Sequence, residues 1–184
     1  MVKKVAIGVA VLLLLVTLGL FVAISLQPSH FSVVRSARMT APPAAVFALL
    51  NDLEALDTWS PCKDLDPNPK TTISEPASGK GAKFTWDGND QIGAGQLVIL
   101  ESKPDEHLDV EQEFFRPFAG KALMSFTLAP EGEATEVTWT MTGQNDFMGK
   151  AMCLFIDMDA MLGKNFEQGL ANIKRAVEQG QTRP

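Results

Sequence analysis

The chain has 184 residues, 46% of them hydrophobic and 21% charged, and carries a net charge of −6 at pH 7. An acidic balance argues against nucleic acid as a partner, because phosphates demand a basic face. It also argues against a broad electrostatic dock on anionic lipid.

The first thirty residues differ from the rest. Val5 to Leu26 is 22 residues without a charge, ~33 Å as a helix and enough to cross a hydrocarbon core. Lys3 and Lys4 precede it and no Lys or Arg follows until Arg35. That asymmetry keeps the N-terminus in the cytoplasm and sends the remainder across, to the periplasmic or extracellular side. A cleaved signal peptide is the competing reading, but the apolar stretch is long for one and lacks a clear small-x-small site at its end. The expected organisation is a cytoplasmic N-terminus at 1–4, a transmembrane helix at 5–26, a linker at 27–30, one folded domain at 31–180 and a tail at 181–184. So short a linker seats the domain against the membrane surface. Cys62 and Cys153 are ninety-one positions apart. Outside the cytoplasm they are free to pair, but two isolated thiols is the preferred reading.

Phe31 to Met39 reads as a strand whose apolar face is interrupted by Arg35. Pro42-Pro43 then opens a short helix, with Val46, Phe47 and Leu50 on its apolar side. Asn51-Asp52 breaks it and caps a second short helix reaching Trp59, which Ser60-Pro61 stops. Residues 63–70 are a loop. A weak strand at 71–75 and a firmer one at 82–86 follow, then turn chemistry at Asp87-Gly88-Asn89-Asp90. Strands are expected at 91–102, 107–115, 121–129 and 135–142. In the second of these Leu108, Val110, Gln112 and Phe114 face inward, and His107, Asp109, Glu111 and Glu113 face water. Gly93-Ala94-Gly95 and Gly79-Lys80-Gly81 mark bends of a wrapped sheet and not phosphate loops, since neither leads from a strand into a helix.

The chain ends in a long amphipathic stretch. Met148, Met152, Phe155, Leu162, Phe166, Leu170, Ile173 and Val177 recur at helical spacing. This predicts one helix from Asp146, as cap, to Val177, about 45 Å long, closed by a left-handed Gly180. A one-faced antiparallel sheet must bury its apolar side, and only this helix is long enough to cover it. The reading is α+β, a curved antiparallel sheet wrapped around a long C-terminal helix, with a cavity between them.

Several short motifs in this order carry a family resemblance. They are Arg35-Ser36 with Ala41-Pro42-Pro43-Ala44-Ala45-Val46-Phe47; Trp59-Ser60-Pro61; Gly81 to Trp86 with Gly88-Asn89; Gly93-Ala94-Gly95; Phe114 through Pro117-Phe118; and Met158 to Gly163 with Phe166-Glu167 and Gly169-Leu170. On these the chain resembles the SRPBCC superfamily of START-like helix-grip proteins, in its polyketide cyclase/dehydrase-type branch, over nearly all of residues 31–178. Cys62 stands where the pattern often has a second tryptophan. The resemblance implies a hydrophobic pocket between helix and sheet. It does not imply one reaction, since the fold hosts carriers, binders and cyclases.

The candidate ligand-binding residues are Trp59, Trp86, Gln112, Phe114, Met124, Phe126, Trp139, Met141, Met152, Phe155 and Asp159. The aromatic and methionine side chains suit an adaptable apolar pocket, with ordinary core as the alternative. Gln112 interrupts an inward apolar row and offers an amide to a ligand or to a neighbouring buried group. Asp159 lies about 40° from Phe155 on the helix wheel, inside the apolar stripe. A carboxylate there is either a pocket group or half of an ion pair with Arg35, and the ion pair is preferred. Two histidines, His30 and His107, no Cys-x-x-Cys and no tyrosine leave no metal-ligand set, triad or phenolic acid to name. No catalytic residue and no cofactor is expected. The preferred function is a membrane-anchored domain binding a hydrophobic small molecule or lipid. The alternatives are a cyclase/dehydrase-like enzyme using the same pocket, and a non-catalytic protein-interaction module with a filled core.

Overall fold

The computed structural model describes residues 2–180, apart from the Asp64 side chain; the tail expected at 181–184 lies outside them. Seven strands make one antiparallel sheet: β1 (His30–Met39), β2 (Lys70–Ile73), β3 (Lys83–Asp87), β4 (Ala94–Lys103), β5 (His107–Arg116), β6 (Gly120–Glu131) and β7 (Ala134–Gln144). Their order across the sheet is β1-β7-β6-β5-β4-β3-β2. Apart from the excursion between β1 and β2, each strand lies beside its predecessor in sequence, as short turns require. The excursion holds α2 (Pro43–Asn51) and α3 (Leu56–Trp59). The Asp52 carboxylate accepts from the Glu54 N–H at the junction between them, and Ser60 and Pro61 end α3.

The sheet curves at identifiable residues. Gly93 has φ +63°, and the β4–β5 register shifts between Ala94 and Gly95 and again between Ile99 and Glu101. A Cβ at Gly93 would run into the Arg116 carbonyl, and one at Gly95 into the Glu113 carbonyl and the Trp86 ring. Only glycine permits these close approaches.

The final helical stretch is not one rod. It comprises α4 (Phe147–Met152) and α5 (Met158–Gly180), separated by the turns of residues 153–157. Asp146 does cap α4, accepting from the Gly149 N–H at 2.7 Å. The break has a local cause: the Asp157 carboxylate takes the Ala160 N–H at 3.0 Å and so starts a new helix. It also has a packing cause. Phe166, Leu170, Ile173 and Val177 are buried in the core and Leu162 packs against it, whereas Met148, Met152 and Phe155 come before α5 and outside that core. There α4 packs on another partner, and Phe155 is 82% exposed. Gly180 is the last residue of α5 and is not left-handed.

α5 lies on the inner face beside β1 and β7 and also touches α2 and α3. Successive strands place Val33, Met141, Met124, Val110 and Ile99 in one buried row of the inner face, which α5 meets at β1 and β7 and α2 at β6 and β5. Each such side chain contributes about 1.5–3 kcal/mol on burial.

A further helix, α1 (Val2–Ser25), precedes the sheet, and by length and composition it is apolar enough to cross a membrane. It meets the domain through α4, where the Phe21 and Phe147 rings lie 5.8 Å apart. The segment after it is pinned by Asn145, whose N–H donates to the Ser29 carbonyl at 2.9 Å and whose Nδ2 donates to the Pro28 carbonyl at 3.1 Å. The register pairs His30 with Gln144, Gly143 with Ala122, Gly120 with Phe114, and Arg116 with Ala94. These strand ends therefore form a single edge of the sheet, the edge beside α1.

Candidate functional site

Moving along the inner face from the middle of the sheet toward α1, the packing changes from closed to open. In the middle, Trp139 stacks on Phe166 with ring centroids 4.3 Å apart, and Trp59 meets Trp139 and Phe126 edge-on at 5.7 and 5.9 Å. Gly169 of α5 allows this stack, since a Cβ there would lie 2.7 Å from the Trp139 ring. Trp59, Met124, Phe126, Trp139 and Met141 are thus all part of one buried cluster. One feature of that cluster is unsatisfied. The Nε1 donors of Trp59 and Trp139 are buried and have no hydrogen-bond partner among the described residues.

Nearer α1 the next row, Phe31, Gly143, Ala122 and Gln112, is only half-buried. Phe114 and Trp86 stand beyond it, edge to face at 5.6 Å, and the Trp86 indole donates to the Ile92 carbonyl. At the β1 side, sharing Phe31 with this row, lies a cleft of about 550 Å³. Its walls are the segment from Gln27 and Pro28 into β1 as far as Val33, with Asn145, and the break between α4 and α5 from Cys153 to Asp159. Of the sequence candidates, Phe155 and Asp159 line the cleft; Met152 lies just before the break and is half-buried. The structure therefore does not bring the eleven candidates together into one cavity. It divides them between a packed middle and an open end.

Asn145, Cys153 and His30 line the cleft without having been put forward from sequence as ligand-binding residues, and Met158, which belongs to the aromatic and methionine set that suits an apolar pocket, lines it with them. The only signal for the first three is indirect: a linker too short to leave the sheet edge must wall whatever opens there. Both cysteines are free, and Cys153 Sγ is 3.7 Å from Asn145 Nδ2.

Arg35, the charged residue that breaks the apolar face of β1, explains Asp159. Its Nη1 and Nη2 donate to the two Asp159 carboxylate oxygens at 3.1 and 2.9 Å, and its Nε donates to Glu167 at 3.0 Å. Gly163 leaves room for the guanidinium. The Arg35 hydrogen bonds hold the Asp159 carboxyl below the usual carboxylate range, and the same bonds keep Arg35 more firmly protonated. An ionised, tied carboxylate is a poor proton donor at neutral pH. Because the folded-state value is depressed, the stabilisation is complete above the ordinary carboxylate pKa, about 4, and is lost as pH falls through the lower folded value. Asp159→Asn is accordingly expected to melt below the parent at neutral pH, with the gap closing in acid; thermal melts across that range check it.

On the opposite edge, Glu101, His107 and Asp109 present their ligand atoms within 4.8 Å of one another. These groups already have partners. Lys103 pairs with Glu101 at 3.0 Å, His107 with Asp109 at 2.8 Å, and Ser125 donates to Asp109 at 2.6 Å.

Solved structures of low sequence identity share the fold. Protein CV1439 of Chromobacterium violaceum is 19% identical over 80% of this chain and 96% of its own, with a TM-score of 0.56. The Aha1 protein of Colwellia psychrerythraea, solved as a dimer, is 17% identical over 80% of this chain and 96% of its own, with a TM-score of 0.58. The KanY protein is 22% identical over 82% of this chain and 99% of its own, also at 0.58. At these identities the likeness is one of fold. A search of curated protein sequences finds no match. The family described as polyketide cyclase / dehydrase and lipid transport matches residues 30–178, which span every strand and nearly all of α5. The chain therefore belongs to that family of helix-grip, ligand-binding domains.

Proposed function

We propose that this protein is tethered to a membrane by α1 and binds a hydrophobic small molecule or lipid at the end of its helix–sheet layer nearest the tether. The observation that carries the reading is the cleft between the start of β1 and the break at 153–157. It is a shallow cleft, open to solvent along one side, whose volume would fit a small amphiphile lying against the sheet end. Phe31, Val33, Phe155, Ile156 and Met158 supply apolar wall, and Asn145, Ser32 and His30 supply polar groups. Phe114, Trp86 and the Gln112 amide extend the same open end along the sheet. Tethering raises the local concentration of a ligand that partitions into the bilayer. The family description names lipid transport beside cyclase and dehydrase chemistry, in keeping with an apolar ligand.

The test is organic extraction of the purified full chain followed by mass spectrometry against a detergent blank. A stoichiometric amphiphile is expected. The interlocked Trp59, Phe126, Trp139 and Phe166 cluster favours a second reading, an interaction module with a filled core. An extract indistinguishable from the blank selects that reading.

A further inference from the structure

Exposed aliphatic side chains such as Val34 and Leu100 occur along the strands, but the exposed aromatic side chains of the domain gather at one end. Phe115 and Phe118 stand at the β5–β6 turn, Phe147 and Met148 on α4, and Phe155 and Ile156 in the break after it. The register puts the β5–β6 turn, the start of β1 and the end of β7 on one edge, and α4 follows directly from β7. Phe118 is 60% exposed and Phe155 82%. The opposite edge is different. Its turns carry Asp105, Glu106, Glu131 and Glu133, all exposed, and no exposed large apolar residue.

Exposed apolar side chains grouped at one end of a domain mark a contact face, and Phe with aliphatic neighbours is what interfacial segments bury at the headgroup–acyl boundary. Three observations identify what covers it. The face adjoins α1, the one membrane-length helix among the described residues. Phe147 of the face touches Phe21 of α1. The exit from α1 is held at this edge by the two Asn145 hydrogen bonds to Ser29 and Pro28, so the domain is not free to swing away on a tether.

We propose that this edge is a membrane-docking surface. The β5–β6 turn, α4 and the 153–157 break are seated in the lipid interface of the bilayer that α1 crosses, with the acidic edge pointing away. The cleft then opens at the lipid surface, and an apolar ligand reaches it without crossing water. The inference rests on the anchored reading of α1, and the experiment separates the two.

Full-length protein with Cys62→Ser and Cys153→Ser is labelled with a nitroxide at one new cysteine and placed in phosphatidylcholine nanodiscs. The labelled sites are Phe118→Cys and Phe155→Cys on the docking edge, Glu133→Cys on the far edge and Leu12→Cys within α1. All four side chains are exposed on the protein, so labelling leaves its core intact. Power saturation with oxygen and with a water-soluble nickel chelate reads depth. The expected oxygen-to-nickel ratio is several-fold higher at 118 and 155 than at 133, and highest at 12. Ratios at 118 and 155 equal to that at 133, with 12 in hydrocarbon, overturn the docking surface and leave the anchor standing. A water-like ratio at 12 overturns both. Exclusion of both reagents at 118 and 155 means that protein covers the edge, a second copy or another chain, and also overturns the proposal.

Discussion

Trp139→Ala is expected to lower the stability of the domain by about 3–5 kcal/mol, the range for emptying a large aromatic site in a packed core. The indole is the hub of the middle layer. It stacks on Phe166 of α5, meets Trp59 of α3 edge-on and lies against Phe126 of β6. Its loss uncouples three elements at once, and none of those rigid neighbours can collapse into the space. Trp139→Phe is expected to recover most of the loss. The parent side chain buries an indole N–H with no acceptor among the described residues, an arrangement that itself costs about 1–3 kcal/mol. Phenylalanine keeps the ring stack and removes that donor. Chemical denaturation of the detergent-solubilised full chain, followed by circular dichroism because the substitution alters tryptophan fluorescence, measures both. Equal losses for the two variants would contradict the ring stack as the source of that stability.

Gly93→Ala is the second large effect. Gly93 has φ +63° and sits where the chain bends into β4, directly against the Arg116 carbonyl at the end of β5. A methyl group there meets two penalties. The left-handed conformation costs a non-glycine residue about 1–2 kcal/mol, and the overlap with backbone adds roughly 1–3 kcal/mol of overpacking strain. The obstacle is a peptide carbonyl in a strand ladder, so no side chain is available to swing aside. The same denaturation experiment is expected to show a loss of about 2–5 kcal/mol. Gly132→Ala is the internal comparison. It shares a positive φ of 67°, but a Cβ there meets nothing within 4 Å, so only the conformational penalty applies.

The elements that were legible in the sequence are those whose signals are local. Alternation along His107 to Phe114 locates β5 and its inward face. Proline and the Asp52 cap locate α2 and α3, and the glycines at 93 and 95 locate the bend. Arg35 and Asp159 each break an apolar face, and so point to one another across 124 positions. The break at 153–157 was not legible, because helical periodicity says which face is apolar but not what it meets. Met148, Met152 and Phe155 keep the stripe going in sequence, yet the sheet they would need ends at His30 and Gln144. Asp157, on the polar side of a continuous helix, works instead as a cap. The aromatic candidates failed to define one cavity for a related reason. Composition cannot tell a ring that lines a space from a ring that fills it, and Trp59, Phe126 and Trp139 fill theirs against Phe166.

Photolabelling in a bilayer shows whether an apolar chain enters the cleft. Full-length protein in phosphatidylcholine nanodiscs is irradiated with a photoactivatable fatty acid, and the adducts are mapped by peptide mass spectrometry. Beyond the labelling of α1, the β5–β6 turn and α4 by lipid contact, adducts are expected on residues 30–33 and 153–159, the walls of the cleft. Adducts on α1 alone, or as dense on the outer sheet face as on those walls, would contradict the account.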